Sequence, residues 1–200
     1  MTTISQIADG IGEHICKQAG LELEIKKVCF GIEIIMMMTV SIAVTVTLGS
    51  VFGLISETLI VTLNALLIKF IIGGSHLSGF LRCLIYSSAV ILLGAWLCSI
   101  YPVWLTVNMV LLLALINLVI MIIMPLLVSY RTLKRKQEII RKLLVILMVL
   151  FYSLLYINHS DKFYAGALIG ISISVLNITP VGVNFTKWLD HITKQGGAVQ

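Results

Sequence analysis

One stretch gathers the residue types that could do chemistry: Lys69-Phe70-Ile71-Ile72-Gly73-Gly74-Ser75-His76-Leu77-Ser78-Gly79-Phe80-Leu81-Arg82-Cys83. A cysteine with a histidine is the minimum set for thiol catalysis, in which the imidazole takes the thiol proton and the thiolate attacks a carbonyl carbon. The candidates are Cys83 and His76. A cation held nearby, Arg82 or Lys69, would favour the thiolate, and the backbone N–H groups of Gly73 and Gly74 could serve an oxyanion. Spacing sets a condition on this chemistry. Seven residues of straight helix put His76 and Cys83 on one face but about 10.5 Å apart in rise. A hydrogen bond needs roughly 3 Å. The pair works only if His76 lies on an unwound loop that folds back, which Gly73, Gly74 and Gly79 permit. A lone interfacial histidine beside an inert membrane cysteine would show the same residues and do no chemistry.

The rest of the chain must position that segment, and its composition says in what medium. Of 200 residues, 59% are hydrophobic and 12% are charged. Soluble domains carry about twice that charged fraction. The mean hydropathy of +1.07 agrees, so the solvent to reason against is a bilayer. Six apolar segments are expected to span it: 28–48, 51–72, 84–100, 103–128, 143–157 and 163–178. Gly49-Ser50 separates the first two, and Thr179-Pro180 follows the last. Four cysteines without a CxxC pair argue against a disulfide framework or a zinc site. No signal peptide is expected, because no small-residue cleavage site follows a short apolar run near the start.

Placing both termini in the cytoplasm puts thirteen of the fourteen lysines and arginines on the inner side, all but Lys162. The net charge of +5 is thus mostly a topological signal. No basic groove with interleaved aromatics supports a nucleic-acid partner. Ahead of the spans, Ile4, Ile7, Ala8, Ile11, Ile15 and Ala19 recur at helical steps with Asp9, Glu13 and Lys17 between them. That pattern predicts an amphipathic helix, either in the inner headgroup plane or packed on the protein itself. The division expected is an amphipathic N-terminal segment over 1–27, six spans over 28–178 and a cytoplasmic tail over 179–200. Residues 131–142 form a basic link between spans four and five. Glu33 can snorkel, Glu57 can pair with Lys162 or be protonated, and Asn64 and Asn117 are candidates for interhelical hydrogen bonds.

The order Lys69, Gly73-Gly74-x-His76, then Cys83 seven residues on, inside a six-span chain, resembles the accessory gene regulator B (AgrB) family, membrane cysteine endopeptidases of Gram-positive quorum sensing. Lys69 stands where the family has arginine, which keeps the charge but loses bidentate carboxylate binding. Ser75 stands where a larger residue is common. The resemblance implies a bacterial cell-membrane enzyme acting on a short AgrD-like precursor peptide. Cys83 would form a peptidyl thioester and release an acidic tail. A thiol or hydroxyl of the precursor would then close a thiolactone or lactone ring. It also implies His76 as base and then as acid, with Lys69 and Arg82 drawing in the acidic tail, and it implies no metal or organic cofactor. A homodimer is compatible with so small a chain, although no pattern specifies an interface.

The competing class is a non-enzymatic polytopic protein, a small transporter or a scaffold subunit. It would need a polar midplane site or broken helices, for which Glu57, Asn64 and Asn117 are weak material. No HExxH or GxSxG motif points to a zinc or serine hydrolase.

Overall fold

A computed structural model of the chain describes residues 3–20, 25–73, 80–100, 106–123, 135–159 and 161–195. Among the described residues there are eight helices and no strand: α1 (Thr3–Ala19), α2 (Ile25–Val51), α3 (Ile55–Ile72), α4 (Phe80–Ser99), α5 (Val107–Ile123), α6 (Arg135–His159), α7 (Lys162–Ile178) and α8 (Pro180–Gln195). The chain divides into two compact units, Met1–Val44 and Thr45–Gln200.

The first unit holds α1 and most of α2, residues 25–44. Ala8, Gly12 and Cys16, four residues apart, form the buried row of α1. Gly12 lies so close to Cys29 of α2 that any side chain there would collide with it. The Cys29 thiol donates to the Asp9 carbonyl at 3.7 Å, and the Ser5 hydroxyl donates to the Glu33 carboxylate. Glu33 therefore has a hydroxyl partner. The adjacent row of α1, Ile7, Ile11 and Ile15, is exposed. A helix is thus present over the predicted segment, with one row of small residues against protein and an isoleucine row left open.

In the second unit α7 is the central element, packed against α3, α4, α5, α6 and α8. Its composition explains why. Gly166 and Gly170 leave room for Ile60 and for the Val61 backbone of α3, so the two helices approach closely. Polar side chains set the register: Ser174 donates to the Ala65 carbonyl at 2.9 Å, and Ser172 accepts from the Asn117 amide of α5 at 2.7 Å. Ile68 and Ile72 of α3, Val110 and Met121 of α5, Val145 and Val149 of α6, and Leu168, Ile171 and Val175 of α7 fill the main core. Many leucines, isoleucines and phenylalanines on the outward faces are exposed, among them Leu63, Phe70, Ile85, Leu115 and Phe151. Helices that are apolar on both faces fit a lipid solvent rather than water. The protein is a multi-pass membrane protein.

The expectation of six spans is met in part. Among the described residues, α2, α3, α4 and α6 are long and apolar enough to cross a membrane, and a fifth arises if α7 and α8, bent by 74°, count as one. Helix α5 is apolar but only 17 residues long, and the outer parts of the expected segment 103–128 lie outside the described residues. The first expected boundary moves as well. Helix α2 runs through Gly49-Ser50 to Val51, and the chain turns at Phe52-Gly53-Leu54, where Gly53 has φ +69°. Gly49 is not a breaker; it makes room for Thr58, which a side chain at 49 would strike. The segment expected as a tail contains α8. Thr179 and Pro180 end one helix and begin the next: the Thr179 hydroxyl donates to the Leu176 carbonyl at 2.7 Å and accepts from Gly182 N–H at 3.1 Å. Threonine at the N-cap followed by proline at the first helical position is a strong start signal.

Candidate active site

The site is built where α3 ends and α4 begins. Helix α3 stops at Gly73, whose φ of +95° suits glycine alone and whose N–H donates to the Lys69 carbonyl at 2.8 Å. Arg141 of α6 donates to the Ile72 carbonyl at 3.3 Å, so a cation of the basic link satisfies an orphan carbonyl at that terminus. The chain is described again from Phe80, and Arg82 and Cys83 occupy the first turn of α4.

A narrow cleft opens between α3, α4, α7 and α8, with a volume of about 20 Å³, room for one water-sized sphere. Lys69, Cys83, Tyr86, Asn177 and Thr186 supply its polar lining, and Ala65, Val90, Ile91 and Ile173 its apolar floor. Lys69 and Cys83 are both half-buried and lie within electrostatic reach of each other. Among the described residues no carboxylate pairs with Lys69. Opposite, the Tyr86 hydroxyl donates to the Asn177 side-chain oxygen at 3.0 Å, joining α4 to α7 across the cleft. The Ser174–Ala65 bond lies one turn of α7 away and fixes where Asn177 meets the cleft. A thiol, an ammonium and an amide thus meet around one apolar-floored opening.

The structure therefore brings Lys69 and Cys83 together and places Gly73 at the end of α3, one turn beyond Lys69. Arg82 is engaged elsewhere. Its guanidinium pairs with Asp190 Oδ1 at 3.3 Å and donates to the Asp190 carbonyl at 3.5 Å and Thr193 Oγ1 at 3.3 Å, all on α8. Gly74 and His76 lie outside the described residues. Four site residues escape the sequence reading: Tyr86, Asn177, Thr186 and Asp190. Asn177, a polar residue in the last turn of an apolar helix, was the legible one. Thr186 and Asp190 become legible only once residues 180–195 are seen as a helix.

Several polar residues elsewhere have structural partners. Lys162 donates to Glu57 at 2.7 Å, so the pairing alternative holds for that acid. Asn117 is the expected bridge between helices, through Ser172. Asn64 departs from expectation: its amide donates within α3 to the Ile60 carbonyl at 2.9 Å, and its side-chain oxygen is buried with no partner among the described residues. Close packing of α3 on α7 leaves no donor in reach. Cys16, Cys29 and Cys98 are buried, and the Cys98 thiol donates to the Lys162 carbonyl at 3.3 Å. Among the described residues no three His, Cys, Asp or Glu side chains gather closely enough to hold a metal.

A family model described as Accessory gene regulator B matches residues 5–178 of the chain. No curated protein and no solved structure matches it.

Proposed function

The chain belongs to the accessory gene regulator B family, which takes part in processing agr quorum-sensing peptides, and from that premise we propose that it is a membrane cysteine endopeptidase with Cys83 as nucleophile. The observation that carries this is the half-buried Cys83 thiol in a cleft shared with a lysine that has no carboxylate partner among the described residues. The substrate is an AgrD-like precursor peptide. His76 takes the Cys83 proton, and the thiolate attacks the carbonyl at the C-terminal boundary of the signal segment. The C–N bond breaks, His76 returns the proton to the leaving amine, and the acidic tail departs. The peptidyl thioester left on Cys83 is then displaced by a thiol or hydroxyl of the precursor, which closes a thiolactone or lactone and regenerates Cys83. A site that keeps water out lets ring closure outrun hydrolysis.

Lys69 offers its charge to the thiolate or to the acidic tail, and Gly73 and Gly74 offer N–H groups to the tetrahedral oxyanion. Arg82 serves substrate by exchanging Asp190 for a carboxylate of the precursor. Helix α1 lays the Ile7, Ile11, Ile15 row on the inner leaflet, where a precursor with its own amphipathic leader would meet it. In this topology six segments span, α5 among them, and both termini face the cytoplasm with the 73–83 segment. The thirteen-to-one cation split supports that orientation. A second copy of the chain is compatible with the cleft's open mouth.

The test is cleavage of a candidate precursor by purified protein in lipid. Wild type and the triple variant Cys16→Ser, Cys29→Ser, Cys98→Ser should release the tail, and Cys83→Ala should release none. Wild-type-like release by Cys83→Ala ends the peptidase reading and leaves the non-enzymatic alternative.

A further inference from the structure

Helix α8 lies beyond the matched family region, and its surface divides into three faces. At 100° per residue, Gly182, Thr186, Leu189 and Asp190 face the bundle, and the buried Thr186 lines the Cys83 cleft. Asn184, Lys187 and His191 form an exposed polar flank. The third face is apolar and open: Val181 is 70% exposed, Phe185 46%, Trp188 57% and Ile192 46%. Those four positions, spaced i, i+4, i+7 and i+11, fall within an arc of about 60°. One face meets protein, one carries polar groups, and one exposes four large apolar side chains including a tryptophan.

We propose that α8 is an in-plane membrane anchor whose Val181, Phe185, Trp188 and Ile192 face enters the lipid headgroup–acyl boundary and thereby holds one wall of the Cys83 cleft at the bilayer surface. Three observations select lipid as the occupant. Helix α8 begins two residues after α7, an apolar helix of 17 residues, and turns 74° away from it. With α7 as the last span of the topology proposed above, a helix turned that far from it runs close to the membrane plane, since crossing helices tilt by about 20° on average. Tryptophan and phenylalanine beside a lysine-bearing polar flank is the composition that seats a helix at the boundary rather than in the hydrocarbon. Phe185 and Trp188 also touch, with ring centroids 5.7 Å apart, and so offer one aromatic surface.

The opposite face shows what the anchor holds. Asp190 and Thr193 bind Arg82, one residue from Cys83, and Phe185 lies 6.3 Å from Tyr86, which bonds Asn177. Lipid contact on one side of α8 thus fixes Arg82, Thr186 and Tyr86 on the other. The anchor does not depend on which reaction Cys83 performs.

The test uses the full chain with Trp96→Phe and Trp104→Phe, leaving Trp188 as the sole tryptophan, in nanodiscs of phosphatidylcholine with a minor fraction of phosphatidylglycerol. The lipids carry bromines near the headgroup or near the acyl terminus. The expected result is a blue-shifted Trp188 emission, quenched more strongly by the shallow bromines than by the deep ones. Subtracting the signal of Trp188→Phe from that of the wild-type chain gives the same reading if the double variant fails to insert. Water-like emission without bromine quenching overturns the proposal. So does blue-shifted emission that neither lipid quenches, which would mean a protein partner covers the face. Strongest quenching by the deep bromines overturns it too, because α8 would then enter the bilayer as half of a broken span.

Discussion

The two ends of α3 carry similar residue types and use them in opposite ways. At the first turn, the buried Glu57 takes the Lys162 ammonium at 2.7 Å and the Ser56 hydroxyl at 2.6 Å. Cys98, fully buried beside them, donates its thiol to the Lys162 carbonyl. Acid, cation and thiol lie together, with the acid and the thiol buried and the cation reaching in from an exposed position. At the last turn, Lys69 meets no carboxylate among the described residues, and Cys83 stands half-buried on the wall of a cleft. A charge within an apolar helix is a reason to look for function, but a complete set of partners converts it into a staple. What separates the two ends is that Cys98 is fully buried while Cys83 is half-buried on the wall of a cleft.

Four substitutions would break or sharpen that contrast. The largest effect falls on the Gly73 end: His76→Ala should slow precursor cleavage by about 10² or more, the scale of a lost general base, while precursor binding persists. Single-turnover cleavage beside a binding assay checks it, and a change confined to binding would remove His76 from the proton path. Next, Lys69→Ala should lower cleavage at limiting precursor by roughly tenfold, about 1.4 kcal/mol, through substrate capture or thiolate formation, and leave a slow reaction. Comparing rates at low and saturating precursor separates the two roles.

At the Glu57 end the effect should be on stability. Lys162→Met leaves a buried carboxylate with only a serine hydroxyl. Because Lys162 is itself exposed, the loss should be no more than about 1–2 kcal/mol. Thermal unfolding in lipid should show a lower midpoint with cleavage per folded molecule unchanged. A loss of turnover without a loss of stability would mean that this end is not the inert one. The smallest change is expected of Tyr86→Phe, which removes the bond to Asn177 and should cost about 0.5–1.5 kcal/mol in stability or substrate positioning. Cleavage rates at graded precursor concentrations would show where that cost falls.

Much of this contrast was legible in the chain before folding. Hydropathy alone locates α3, α4 and α6, because a lipid solvent asks for long apolar runs and little else. Glu57 had one cation available beyond the inner cluster, Lys162, and the fold supplies that pair. Other features depend on packing that a one-dimensional pattern does not hold. Gly49 reads as a turn but is a contact point for Thr58, and the turn falls at Gly53 instead. Asn64 and Asn117 look alike in sequence, yet only Asn117 meets a partner helix at a serine. Arg82 looks available for substrate until α8 brings Asp190 to it. That helix is hidden behind Thr179-Pro180, which reads equally well as a stop after α7 and as the cap of a new helix. The His76 half of the proposed catalytic pair rests on the Gly-Gly-x-His pattern itself.

The central claim, that the Gly73 end of α3 holds the reactive thiol, is tested most directly by trapping the intermediate. Purified protein in lipid nanodiscs would be mixed with a precursor whose ring-closing thiol or hydroxyl has been replaced by hydrogen, then quenched in acid and mapped by mass spectrometry. The account predicts a peptidyl thioester on Cys83, with the acidic tail released in equal amount and Cys16, Cys29 and Cys98 unmodified. An adduct on Cys98, or tail release with no adduct on any cysteine, would contradict it.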